Sequence, residues 1–427
     1  MNTFTLIFLG TLAFCVALRI SLGALQIAHL SAHRAVVPLA FGPSQSGELH
    51  AKASEYAIAR TRLEIASACL EAVVVLLWTV GGGLDLLDRA WRGLGLPVPV
   101  AGVAVIVSTL VLLEGFRLPV AAYRLFVVEQ RFGFNRITRS LFLADVARKG
   151  GLLIAASLPL AGLALWLMAA AGEVRWIAIW GLWAGFELAM VWGYPKLISP
   201  LFNRVMPLAE GEVKARVAGL MARSGYALDE VMVMDGSRRS SHANAHVTGM
   251  GSAKRVVLLD TLAETLEPAE IEAVMAHELG HLAHRHIPKY HAARLGIALA
   301  WIGVFGWLAG QPGFFPGLGV SLASPHVALA LMLAISPLFS VLVRPALCLM
   351  ARRFEFQADA YAARHSDPGC LCRALMQLSR RNVSPLSADP LYAAFFQSHP
   401  SLAARIAKLA AAEKAPTPFA ARAGGTG

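Results

Sequence analysis

Long apolar runs separated by short polar stretches dominate the pattern along this chain. A helix that crosses a bilayer core needs roughly 20 mostly apolar residues. Seven stretches approach that length: residues 4–25, 65–87, 98–116 (with apolar character continuing to 128), 152–171, 176–192, 295–309 and 327–349. The sixth is short, so it predicts either a start further back, near His291, or snorkelling at its flanks. Between the fifth and sixth runs the pattern changes. Residues 231–234 and 256–259 are short β-branched runs bounded by polar turn residues and predict strands. Glu267-Pro268 predicts a helix start, since proline suits the first helical position and Glu270 and Glu272 favour the positive end of the helix. Residues 413–427, mostly Ala, Pro, Gly and Thr, have little to bury and predict disorder.

The expected fold class is therefore mainly α: a polytopic membrane protein of about seven transmembrane helices with a polar domain containing a small β-sheet. The expected organisation runs in five parts. Residues 1–193 form a membrane region of five spans, and 194–294 a polar segment. Residues 295–350 hold spans six and seven, 351–412 a second polar segment, and 413–427 the tail.

Composition and charge sharpen this picture. Of 427 residues, 56% are hydrophobic and 15% charged, and mean hydropathy is +0.57. A soluble domain carries about a quarter charged residues, so lipid must solvate much of this surface. The net charge of +11 comes with no basic run of the kind that tracks phosphates, which leaves nucleic acid out as a partner. Lys and Arg gather instead in alternate loops. The first loop has Arg34, Lys52, Arg60 and Arg62, and the third has Arg131, Arg136, Arg139, Arg148 and Lys149. The second has only Arg89 and Arg92, the fourth Arg175, and the sixth none. Positive loops face the cytoplasm, so the N-terminus is expected outside, with the long loop 194–290 and the C-terminus cytoplasmic. The first apolar run starts at Phe4 with no Lys or Arg before Arg19 and no clear small-residue cleavage site, which predicts a retained helix. The five cysteines match no zinc spacing and predict no disulfide framework.

Chemistry concentrates in the polar segments. His277-Glu278-Leu279-Gly280-His281 is an H-E-x-x-H, a zinc-protease signature. On a helix, residues four apart share a face, so both imidazoles can reach one ion. Glu278, one position round, can then take a proton from a metal-held water as that water attacks a carbonyl. A catalytic zinc normally takes three protein ligands and keeps one position open, so a third ligand is expected from another helix. Glu355 and Asp359, four apart just after the last apolar run, fit as that ligand and as the acceptor for the outer nitrogen of a ligand histidine. By spacing alone, ordinary ion pairing among Arg352, Arg353, Glu355 and Asp359 explains the same residues. His284, His286 and His291 read as solvated residues beside Arg285 and Lys289.

With these residues in view, the chain resembles the integral-membrane CAAX prenyl proteases, seven-span zinc metallopeptidases. The likeness rests on HELGH at 277–281 and FEFQAD at 354–359. It extends to EQRFGFN at 129–135, ISPLFN at 198–203, SHANA at 241–245, KRVVLLDTL at 254–262, and Ser398-His399-Pro400 with Arg405. The resemblance implies one zinc per chain held by His277, His281 and Glu355, with Glu278 catalytic and Asp359 supporting the ligands. It implies that His399 and Arg405 stabilise the oxyanion and the substrate's C-terminal region. Asn244 and Ala245 would lie on an edge strand that pairs with the peptide. It also implies a water-filled chamber among the helices, which Glu114, Arg117 and Glu187 would suit, although Glu114 and Arg117 can equally pair with each other. Leu282, His246 and Gln397 depart from the family's usual residues and put subsite preferences in doubt.

The expected activity is thus membrane-embedded zinc endopeptidase cleavage near the C-terminus of a peptide or protein, prenylated in the family's name, with the lipid bilayer as the other partner. Two alternatives stand beside it: quality-control proteolysis of unprenylated clients, and a non-catalytic membrane scaffold. A site-2-type intramembrane protease fits poorly, because Glu264, Glu267, Glu270 and Glu272 precede the motif and Arg285 and Lys289 follow it.

Overall fold

In lipid every backbone polar group must be bonded within the protein, so long apolar runs become helices. The computed structural model describes residues 2–34, 47–242, 245–248 and 253–413. Its first half is helical: α1 (Thr3–Ala32), α2 (Gly47–Trp78), α3 (Gly83–Gly93), α4 (Val98–Tyr123), α5 (Arg139–Ala170) and α6 (Arg175–Gly193). Helix starts are chemically marked. Asn2 accepts from the Thr5 amide at 2.9 Å, and Thr138 from that of Leu141 at 3.2 Å, each satisfying an amide that helix geometry leaves free. Six helices are long and apolar enough to cross a membrane, or seven if α2 and α3 count as one bent span.

That bend departs from the expectation of an unbroken second span over 65–87. The chain turns by 48° between α2 and α3. Gly82, at φ 76°, takes a left-handed conformation that a side chain would disfavour. Asp85 beyond the break accepts from the amide and hydroxyl of Ser321, at 2.9 and 2.6 Å. The seventh expected run, 327–349, also divides. Helix α10 (Pro325–Phe339), which follows α9 (His286–Ala309), ends in a tight 3-10 turn, Ser340–Leu342, and α11 (Arg344–His365) starts afresh with Pro345 near its beginning. The last residues of that run, 344–349, thus belong to the helix that carries Glu355. α9 begins at His286, further back than the sixth run, as the first of the two expectations for it allowed.

The polar region holds four strands: β1 (Val205–Pro207), β2 (Ala227–Met234), β3 (Ala245–Thr248) and β4 (Ala253–Leu259). Their order is β1-β2-β4-β3, with β2 and β4 parallel and the outer pairs antiparallel. Both predicted strands are present, inside β2 and β4. Between β1 and β2 runs α7 (Glu212–Arg223), and after β4 comes α8 (Pro268–Ala283), followed at the C-terminus by α12 (Pro368–Arg381), α13 (Pro390–Phe396) and α14 (Leu402–Glu413). Val231, Val256 and Leu258 from the sheet are buried against Leu220 of α7 and Ile271, Met275 and Leu279 of α8. These three α8 residues recur every fourth position, one stripe of an amphipathic helix, and each fully buried side chain of this size contributes roughly 1.5–3 kcal/mol. α8 starts where Glu267-Pro268 predicts it, and there Glu267 and Glu270 form a reciprocal capping box. Residues 414–427, on which the expectation of disorder falls, lie outside the described residues.

A cavity of 1020 Å³ opens between α1, α2, the ends of α4 and α5, and the polar segments around Arg239 and Asn382. Arg19, Arg60, Glu64, Glu129, Asp145 and Lys149 are in its wall. The charges expected to line it do not. Glu114 pairs with Arg117 at 2.5 Å on an exposed face, the simpler of the two readings offered for them. Glu187 is buried but binds His291 at 2.6 Å, outside this cavity.

Candidate active site

One face of α8 is spent on the core, which leaves His277 and His281 on another. Their Nε2 atoms lie 3.2 Å apart. Glu355 arrives from α11, where its Oε2 is 3.6 Å from Nε2 of His277 and its Oε1 3.4 Å from Nε2 of His281. The helices meet this closely because Gly280 has no side chain: a Cβ there would lie 2.8 Å from Ala358 Cα and 3.0 Å from its carbonyl oxygen. Among the described residues, His277, His281 and Glu355 are the group able to direct three ligand atoms at one ion. The spacing can be tested against coordination geometry. Ligand atoms around a tetrahedral zinc at ~2.0–2.1 Å stand about 3.3–3.4 Å from one another; the two imidazole nitrogens are 3.2 Å apart, and each lies 3.4–3.6 Å from one or other oxygen of Glu355. Oε2 of Glu355 is buried without a hydrogen-bond partner among the described residues, with only the Arg405 guanidinium at 3.4 Å to offset its charge, so an ion held by the cluster would complete it. The residues present fit a zinc ion.

Each histidine is held from behind. Nδ1 of His277 lies 2.9 Å from Oδ1 of Asp359. A carboxylate can only accept, so Nδ1 carries the proton and the Nε2 lone pair faces the cluster. Asp359 is itself gripped by Arg405, Nε to Oδ2 at 2.9 Å and Nη2 to Oδ1 at 2.7 Å. Burial alone would raise Asp359, but hydrogen bonds from His277 and Arg405 outweigh it and hold the acid at about 2. Glu355 is likewise held at about 2: burial raises it, while the hydrogen bond with His281 and the charges of His399, His277 and Arg405 lower it further. Both carboxylates are ionised at neutral pH.

The second histidine is supported by a residue sequence reasoning missed. His286, expected to be solvated, is buried. Its Nδ1 lies 3.0 Å from Nδ1 of His281 and its Nε2 2.8 Å from Oε1 of Gln357, and its ring stacks on Phe354 at 4.1 Å. With Nε2 of His281 turned to the cluster, its Nδ1 donates to Nδ1 of His286, whose Nε2 donates to the Gln357 oxygen. The chain reaches this position through Arg285, whose φ of 54° reverses it between α8 and α9. No helical spacing rule links positions 281 and 286, and the turn that brings them together has no Gly or Asn to announce it. His291 is not solvated either, since it pairs with Glu187.

Glu278 lies beside the cluster in a desolvated setting. Burial raises its pKa above the ordinary carboxylate value, with His277 and His281 opposing and Glu355 reinforcing the shift. His399 presents Nε2 3.5 Å from Oε1 of Glu355, with two thirds of its side chain exposed. Arg405, expected to face substrate, is instead 8% exposed and committed to Asp359; its Nη1 stands 3.4 Å from Glu355 Oε2. Ala245 opens β3, the outermost strand of the sheet, which packs beside α8. Asn244 lies outside the described residues. The cavity wall does not include the cluster but reaches Gln397, two residues before His399.

Comparison with known proteins agrees with this geometry. Residues 26–204 match the family model described as "CAAX prenyl protease N-terminal, five membrane helices", and residues 207–413 match that of "Peptidase family M48". CAAX prenyl protease 1 of Saccharomyces cerevisiae is 35% identical over 309 residues, 68% of each chain. The CAAX prenyl protease 1 homolog of Oryza sativa is 31% identical over 377 residues, 85% of this chain and 88% of the relative. The crystal structure of S. mikatae Ste24p superposes with a TM-score of 0.86 at 27% identity, covering 96% of this chain and 99% of that one. The chain belongs to peptidase family M48, as a multi-pass membrane zinc metalloendopeptidase of the CAAX prenyl protease type.

Proposed function

We propose that His277, His281 and Glu355 hold one zinc ion per chain and that the enzyme cleaves peptides close to their C-terminus, with prenylated CAAX-type tails as the substrate class. The observation that carries this reading is the convergence of the three side chains, the imidazoles 3.2 Å apart and the two oxygens of Glu355 3.4 and 3.6 Å from them, with Glu278 beside it. When bound, zinc acts as a Lewis acid on the scissile carbonyl and brings a water's pKa towards ~7. Glu278 takes the proton of the attacking water and delivers it to the departing amine, a task its raised pKa suits. His399, exposed at the mouth, donates to the carbonyl oxygen as negative charge develops there. Arg405 acts through Asp359, keeping His277 in the tautomer that leaves Nε2 free. Ala245 opens the edge of β3, which would receive the peptide by strand addition so that it lies extended along α8; Asn244 is assigned to the same contact by the resemblance alone.

The catalytic unit in this reading comprises 194–294 and 351–412. The loop charges support a cytoplasmic side for it and for the C-terminus, with the N-terminus outside. The relatives' name, CAAX prenyl protease 1, supports the substrate class. One experiment tests the whole reading: peptide profiling with the full-length enzyme in sealed vesicles of known orientation, comparing prenylated with unmodified C-terminal peptides. Cleavage is expected only from the side that bears the C-terminus, faster for prenylated peptides, and lowered by at least 10²-fold in Glu278→Gln. Undiminished function in that variant would mark a scaffold; equal cleavage of unmodified peptides would favour general clearance; cleavage only from the opposite side would reverse the topology.

A further inference from the structure

The loop that feeds β3 is gripped from the membrane region by side chains the catalytic reading leaves unused. Glu129 closes a π-helical segment, Arg124–Glu129, at the end of α4, a local bulge of a kind often found where a helix must re-aim side chains. Its carboxylate is buried, with both oxygens 2.9 Å from the Tyr56 hydroxyl. His242 Nε2 lies 3.8 Å away. The His242 ring stacks on Phe134 at 4.4 Å and 16°. Three residues earlier, Arg239 makes a two-pronged contact with Asp145 of α5, both distances 3.1 Å, and reaches Asn203 at 3.2 Å. Backbone joins in where Asn135 pairs with Ser240 in an isolated bridge. Tyr56, Glu129, Asp145, Arg239 and His242 all line the large cavity.

β3 has four residues, paired on one side with 255–258 of β4, which fixes its register. It starts three residues after His242, a reach of about 10 Å at most. The position of 239–242 therefore limits where the start of the edge can stand. We propose that Glu129 and Asp145 are positioning residues for peptide binding: from the membrane region they clamp Arg239 and His242, and so align the strand edge on which substrate is read. This rests on the reading that β3 receives the peptide, and it assigns a task to the EQRFGFN run and to the Ser241-His242 half of SHANA.

The test is steady-state cleavage of one peptide by full-length Glu129→Gln and Asp145→Asn. KM should rise roughly tenfold while kcat stays within about twofold, with the zinc content of the parent. Arg239→Gln should raise KM equally, and Asp145→Asn with Arg239→Gln should be no worse than either alone, since both remove one contact. A clamp that only stabilises the fold would lower Tm and leave KM alone, which would overturn the proposal, as would a fall in kcat at constant KM. Should the charge-removing variants fail to fold, Tyr56→Phe loses only a hydroxyl. KM must still rise by about threefold there, and an unchanged value counts against the clamp. The parent enzyme's cleavage and its loss in Glu278→Gln stand apart from every one of these outcomes.

Discussion

His281 turns Nε2 towards Glu355 at 3.4 Å while its Nδ1 lies 3.0 Å from His286. A ligand held on one side only would swing, and its second nitrogen would lose a partner in a partly buried site. His286 prevents both, which gives a residue-scale prediction. His286→Ala should weaken zinc affinity by about 10–100-fold, the usual cost of removing an outer partner of a ligand histidine, while His286→Gln, able to accept from His281, should recover part of it. Competition titration against a chelator measures this, and wild-type affinity in the alanine variant would contradict the relay. At this scale the sequence was partly legible. HExxH states the pair and its carboxylate outright, because helical spacing converts directly into a shared face. Glu355 and Asp359 were legible only as an i, i+4 pair, since nothing in a spacing says which distant helix they meet. His286 was hidden because a left-handed Arg285, not a helix period, brings it back.

Between elements, the decisive contact is α8 on α11. Gly280 occupies an unassigned position of the HExxH, yet it lets Ala358 backbone approach where any Cβ would sit at 2.8 Å. Gly280→Ala should therefore push α11 outward, destabilise the protein by about 1–3 kcal/mol, and leave under one-tenth of the zinc bound at equal free metal. Metal analysis together with thermal unfolding reads both effects. Full zinc content with unchanged Tm would mean the helices do not need this approach. The spans show a similar limit of one-dimensional reading. Apolar runs predict that α1, α4, α5 and α6 exist, because lipid imposes that pattern. They do not say where a run stops being one helix. Beside the break at Gly82 the chain is tied to a distant partner, Ser321 on Asp85, 236 residues away, and the turn at Ser340–Leu342 falls inside an unbroken apolar run.

Over the whole molecule, two large apolar cores are joined through a seam that mixes charged groups with a small apolar cluster of Tyr56, Val128, Phe132 and Phe134. One lies among the spanning helices and includes Val105, Phe305 and Leu331. The other lies beneath the sheet and α8. The 1020 Å³ cavity, with Arg19, Glu64 and Lys149 in its wall, runs along the seam, so a peptide at the strand edge would stand between a charged chamber and the candidate metal site. The account depends on that metal being bound by side chains from two distant parts of the chain, His277 and His281 on α8 and Glu355 on α11. Anomalous diffraction from crystals of the full-length protein, measured on both sides of the zinc absorption edge, tests this most directly. The account predicts one edge-dependent peak per chain, about 2.0–2.2 Å from Nε2 of His277, Nε2 of His281 and a carboxylate oxygen of Glu355. A peak that includes the two histidines but leaves Glu355 unbound, or one located elsewhere, would contradict it.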